Sequence, residues 1–332
     1  MNLTMKSIAL LKLPAVLAMA ALAAPAQAGV TIAQLDDRLR VEIDGQLFTE
    51  YYFKDVPKPF FFPIIGPGGA AMTRNHPMKD VSGETQDHPH HRSLYYGHGS
   101  VNGVDFWAES KGKSGTTVHD GFIEVKGGAT TGTIRSRNKL VTVDGRVVGT
   151  DERTMRIHKT PQGPMIDFEI THHASHGDLV FNDTKEGTMA IRVAETLVHR
   201  KHSSARGKGK GPNIGEGRIV NSEGIRDGAT WGKRAKWVDY YGPVDGKTVG
   251  IAIFDHPSNP RHPSWWHVRD YGLFAVNPFG VHDFEKLENP SAGDLKVPAS
   301  QSVTFRYRFY FHAGNELVAK VADHYAEYAA MK

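Results

Sequence analysis

The chain has no cysteine among its 332 residues. That excludes a disulfide framework, a thiolate metal site and a cysteine nucleophile together. A strong charge of one sign is also missing. The formal net charge is only +4, and Lys6 and Lys12 in the leader supply two of those charges, so there is no electrostatic footprint for nucleic acid. The one basic run, Arg200 to Lys210, reads as a solvated loop. No glycine-rich phosphate loop precedes a helix, and there is no internal repeat or interdomain linker. Beyond the first 28 residues no apolar run approaches the roughly 20 residues of a membrane-spanning helix.

Those first residues read as a secretory signal: Lys6 and Lys12 precede an apolar run from Leu13 to Ala24, which ends in Ala26-Gln27-Ala28. Cleavage after Ala28 is expected, with a periplasmic or secreted product that no longer engages the membrane and residues 29–332 forming one domain.

Alternation with period two dominates what remains. Val303, Phe305, Tyr307, Phe309 and Phe311 alternate with Thr304, Arg306, Arg308 and Tyr310, and Ile166, Phe168 and Ile170 alternate with Asp167, Glu169 and Thr171. Such runs are half-buried strands. Weaker runs of the same kind recur along the chain, Met189 to Ala194 among them, separated by Gly, Pro, Asn and Asp. The expected fold is all-β, a large antiparallel β-sandwich. One amphipathic helix is expected near the C-terminus, from Leu317, Val321, Tyr325 and Tyr328. Val56 to Asn75, rich in Pro, Gly and Phe without periodicity, reads as a long loop.

Eighteen histidines are present, and they cluster. In Asp87-His88-Pro89-His90-His91-Arg92, an extended strand would place His88 and His90 on one face. Two imidazoles so placed suit one divalent metal with a third ligand from elsewhere. The alternatives are structural hydrogen bonding and direct contact with a sugar. A second cluster runs from Asp255-His256-Pro257 through Asn259, Arg261 and His262 to Trp265-Trp266-His267-Val268-Arg269. Its prolines exclude a regular inner strand and imply a rigid loop. The tryptophans are either a sugar-stacking wall or core. Arg192 alternates with apolar neighbours and so points away from the core face. Lys185 and Glu186 are an acid and a base, or a solvated turn. Glu223 is a further carboxylate with no specific signal.

Asp87-His88-Pro89-His90-His91-Arg92, Gly97-His98-Gly99, Asn102 to Trp107, and Asp255-His256-Pro257 through Asn277-Pro278-Phe279-Gly280 together resemble a family labelled "methane oxygenase PmoA", also treated as a domain of unknown function (DUF6807-like). The likeness runs from about residue 38 to 312. It implies a sandwich similar to the galactose-mutarotase-like fold and a setting in glycan breakdown. The membrane-embedded oxygenase in the label is at odds with a chain that lacks spanning helices after its leader.

Together these readings point to an exported carbohydrate-active enzyme, a lyase or hydrolase acting on a glycoside, with an oxidised or acidic sugar as one candidate substrate. His90, His91 or His256 would be acid or base. Arg92, Arg192, Arg261 and Arg269 would stabilise developing negative charge. Trp107, Trp265 and Trp266 would form walls, with Asn259, His262, His267 and Asn277 binding substrate. A metal on His88 and His90 is the cofactor alternative. The rival functions are a non-catalytic glycan-binding protein and a metal-dependent oxygenase.

Overall fold

The computed structural model describes Met1, residues 28–200 and residues 215–331. The leader between its two ends and the basic run beyond Arg200 lie outside the described residues. Two eight-stranded antiparallel sheets stack on one another, as the alternation requires. In the strand Ser302–Ala313, Phe305, Tyr307, Phe309 and Phe311 enter the intersheet core, while Tyr310 on the other face packs against the C-terminal helix. Its neighbour Met165–His173 sends Ile166, Phe168 and Ile170 into the same core.

The first sheet carries the features that matter for function. Its order is Val30–Gln34, Arg38–Ile43, Gln46–Tyr52, Phe60–Ile64, Leu94–His98, Gly187–Arg192, Leu273–Asn277 and Trp265–Val268. Two of these strands depart from the sequence-based expectation. Phe60–Ile64 falls where a loop is expected. It is buried on both faces, with Phe61 and Ile64 in the intersheet core and Phe60 and Phe62 in an outer cluster, and burial on both sides erases alternation. Trp265–Val268 is a strand, not part of the rigid loop. It is the last strand of its sheet, so only one side needs a ladder, paired to Leu273–Asn277.

The C-terminal helix spans Val321–Ala329 and lays Val321, Tyr325 and Tyr328 over Trp237, Phe254 and Tyr310 of the second sheet. Leu317, expected on its apolar face, precedes the helix and is exposed. A second, short helix, Val281–Glu285, was not signalled by periodicity. No helix among the described residues is long and apolar enough to cross a membrane.

Polar groups are also enclosed. His98 Nε2 donates to the Asn182 carbonyl at 2.8 Å, and His172 Nε2 meets the Tyr96 hydroxyl at 2.9 Å. Burial pushes both imidazoles down to about 4. An unfolded histidine titrates near 6.5, so between pH 6.5 and about 4 the unfolded chain binds protons that the folded chain excludes. His312 has the opposite sign: burial lowers its pKa, but the charge and hydrogen bond of Asp239 outweigh that and raise it. The neutral histidines are the more numerous. The apparent melting temperature should therefore fall steadily as pH drops from 6.5 toward 4, and a flat profile across that window would contradict buried neutral imidazoles.

Candidate active site

Register on the outer face of the first sheet builds a floor. Tyr95, Ala190, Ala275 and His267 stand side by side in one cross-strand row. Met189, Ile191, Phe274 and Val276 turn the other way into the core. Two alanines at the centre of the row, flanked by a tyrosine and a histidine, leave room above the sheet. In the next row along, Arg192 faces Leu273, whose carbonyl accepts the Arg269 N–H at 2.7 Å. Arg192 thus stands on the face opposite the core, as its alternation predicts. The resulting cleft measures about 320 Å³ and is lined by His88, His90, His91, Trp107, Glu186 and His267, with Arg269 and Tyr271 at one side.

The histidine segment forms a turn, not the extended strand expected. The His91 N–H donates to the His88 carbonyl at 3.0 Å, and His88 has a left-handed φ of 43°. Asp87 anchors this turn. Its carboxylate accepts from Arg74, from Arg192 Nη2 at 2.8 Å and from His88 Nδ1 at 2.8 Å. Arg74 also donates to the His88 carbonyl. Burial alone would raise the Asp87 pKa, but the His88 bond and the two guanidiniums reverse that and hold it well below the usual carboxylate range. The His88 ring lies between those of His91 and Tyr271, parallel to both, at centroid distances of 4.8 and 5.3 Å. His90 meets His91 edge to face at 4.4 Å.

Among the described residues no group of three or more His, Asp or Glu side chains is arranged to hold a metal ion. The proposed pairing of His88 with His90 rested on an extended strand. In the turn, His88 instead stacks on its neighbours and bonds Asp87.

Two cleft imidazoles have their tautomers set by their partners. Arg192 Nη1 lies 3.2 Å from His91 Nδ1. A guanidinium only donates, so Nδ1 accepts and the His91 proton sits on Nε2. His267 is the reverse: its Nδ1 faces the Lys185 carbonyl at 2.5 Å and must donate, which leaves the lone pair on Nε2. Burial holds both neutral. It pushes His267 down to about 4, and with the adjacent Arg192 charge it lowers His91 far below its ordinary value. His90 is pushed down to about 3 by burial and then by Lys58.

Glu186 completes the cleft. Gly99 permits its approach: the Gly99 N–H donates to the Glu186 carbonyl at 2.6 Å, and a Cβ on Gly99 would come within 2.9 Å of the Glu186 Cβ. Burial raises the Glu186 carboxyl above its ordinary value, an effect only partly offset by Lys185 and Arg269. The other acid at the wall, Asp105, has Oδ1 accepting the backbone N–H of Trp107 and Ala108. Trp107 itself is buried behind the rings of His91 and Tyr95.

Other sequence candidates lie away from the cleft. Arg92 pairs with Glu109 and sits over Phe60. His256 bonds Ser258 and the Met331 carbonyl beneath the C-terminal helix. Asn259 and His262 both bond the fully buried Asp255. Arg261 is a loop clamp, donating to the carbonyls of Pro278, Gly293 and Asp294. Trp266 is fully buried, its Nε1 on the Ala235 carbonyl, so it is core and not a wall. Trp265 is bonded to Glu285 and covered by Arg234. Asn277 holds the Thr184 carbonyl and the Phe279 N–H. Glu223 bonds its neighbour Ser222. Sequence reasoning missed Tyr271 as a stacking partner, and no local pattern marks it. Arg74 and Lys58 were likewise unmarked, although a lone cation amid apolar residues that prove buried is a usable signal.

Asp87 should be the costliest polar residue of the site to remove, because Asp87→Ala strands two buried guanidiniums. Loss of one partner from a buried ion pair costs about 3–5 kcal/mol. Chemical denaturation should report a loss of that order, and a change below about 1 kcal/mol would contradict its anchoring role.

No curated protein matches this sequence. Among solved structures, a galactose mutarotase related enzyme from Lactobacillus acidophilus is similar at 8% identity and a TM-score of 0.31, covering 85% of this chain and 97% of that one. A family of unknown function, DUF6807, matches residues 38–326, and the chain belongs to that family.

Proposed function

We propose that the protein is an exported carbohydrate lyase, which removes a proton beside a carbonyl group of a sugar and eliminates the oxygen substituent on the next carbon. The observation that carries this is the pair of neutral imidazoles with opposite tautomers in one cleft. His267 Nε2 offers a lone pair and His91 Nε2 an N–H. A base and a hydrogen-bond donor are the two groups that enolate formation needs.

In this reading His267 takes the proton as the C–H bond breaks. The electron pair becomes a C=C bond as the adjacent C–O bond breaks. His91 Nε2–H and Arg269 stabilise the negative charge that gathers on the carbonyl oxygen, and Glu186 gives its proton to the departing oxygen. Protons and electrons balance without an added oxidant or reductant.

Elimination fits this cleft better than hydrolysis. Ordinary glycoside hydrolysis employs two carboxyl groups on opposite sides of the scissile bond. Of the two acids lining the cleft, Asp105 is bound to backbone N–H groups, which leaves Glu186. A neutral imidazole at working pH favours an enzyme over a passive binder. The sugar itself is argued from a cleft large enough for a small ligand, aromatic rings at its edge and the carbohydrate setting implied by the family resemblance.

The reaction should show a bell-shaped pH profile. Rate should be lost below about pH 4, where His267 becomes protonated, and lost again as pH rises through the raised pKa of Glu186, which must stay protonated. His267→Gln should cost roughly 10²- to 10⁴-fold in kcat, and Glu186→Gln should abolish the alkaline limb. Full turnover in His267→Gln would sink the assignment.

A further inference from the structure

Around the cleft carboxylates are shared between cations, and several enclosed donors have no acceptor among the described residues. Lys58, Arg74 and Arg192 are almost fully enclosed. Arg74 and Arg192 share one carboxylate, Asp87. Lys58 and Arg92 share another, Glu109, at 2.6 and 2.9 Å. Arg269 makes no ion pair among the described residues. Glu84, which also acts on Arg74, is bonded to the backbone N–H groups of Asn75 and His76. Lys185 lies 3.7 Å from Glu186 and 4.0 Å from Asp283.

The unpaired donors point the same way. Trp107 Nε1, Arg192 Nε and Arg269 Nε are enclosed yet have no acceptor among the described residues. Trp107 is 1% exposed and lines the cleft together with Arg269. Both guanidiniums stand over the Tyr271 ring, their Cζ atoms 4.9 and 5.9 Å from its centroid. A buried donor left without an acceptor costs about 1–3 kcal/mol, and water would satisfy the donors but would give Arg269 no counter-ion.

We infer that the cleft recognises a hexuronate unit, whose carboxylate takes its place against Arg269 and the Trp107 indole N–H and supplies the counter-ion that Arg269 lacks. This rests on the lyase reading for the identity of the ligand as a sugar. A planar carboxylate matches the fork of a guanidinium. The same carboxylate acidifies the C–H beside it, so one group serves recognition and the reaction. Arg192 acts from behind, through Tyr271 and His91.

The test is direct binding to the mature chain, read by calorimetry, with galacturonate and glucuronate against galactose, glucose and the uronate methyl esters. Uronates should bind at least about tenfold more tightly than the neutral sugars and esters, and added salt should narrow that gap. Arg269→Gln should erase the preference, while Arg269→Lys, which keeps the charge, should retain part of it and serve as the folding control. Equal binding of uronates and their neutral counterparts, or a preference that survives Arg269→Gln, would overturn the inference. Uronate-selective binding without formation of an unsaturated product would support it while refuting the lyase chemistry. Elimination from a neutral keto sugar without uronate preference would do the reverse.

Discussion

The candidate site depends on a buried carboxylate that two guanidiniums must share. Asp87 reaches Arg74 from the segment after Phe60–Ile64, Arg192 at the end of Gly187–Arg192, and His88 in its own turn. That single group ties a loop to a sheet strand more than one hundred positions away. With the carboxylate fixed, His88 is held in a left-handed conformation and stacks between two rings. His91 is brought onto Arg192, which dictates its tautomer and keeps it uncharged. A charge cluster of this kind is poor insulation for a fold, since desolvation offsets much of its attraction. Its value here is geometric: it places imidazoles where chemistry can use them.

The other half of the cleft is set by the sheet. Ala190 and Ala275 stand side by side in one cross-strand row of its outer face, because strand register pairs them directly. His267 borders them, and its orientation comes from the carbonyl of Lys185, the residue before Glu186. The proposed base and the proposed acid are therefore coupled through one short segment, and Gly99 lets that segment close against the neighbouring strand. A donor imidazole clamped by arginine faces the same space as an acceptor imidazole clamped by a carbonyl, an arrangement suited to moving a proton without changing the charge of the resting site.

The sequence revealed the sandwich wherever one face of a strand is apolar and the other is not, as in Ser302–Ala313 and Met165–His173. It was silent on Phe60–Ile64, where burial on both faces leaves no period, and misleading on Trp265–Val268, where nearby prolines suggested a loop beside what is an edge strand. For the site, clustering drew attention to His90, His91, Trp107, His267 and Arg269, which the fold brings together around one cleft, and alternation gave the outward direction of Arg192. Clustering does not separate ligand-facing residues from scaffold, however. His256, Asn259, Arg261 and His262 look as reactive in sequence as His267, yet they spend their polar atoms on Asp255, on the chain near the C-terminus or on loop carbonyls. Which polar residue is already satisfied depends on partners distant in sequence, and no local pattern encodes that.

The most direct test of this account is the protonation state of two side chains, read by nitrogen NMR of protein labelled with ¹⁵N-histidine, with His91→Gln and His267→Gln used to assign the signals. At neutral pH both rings should be uncharged, His91 carrying its proton on Nε2 and His267 on Nδ1. A charged imidazolium at either position, or the same tautomer at both, would contradict the paired donor and base on which the proposed chemistry stands.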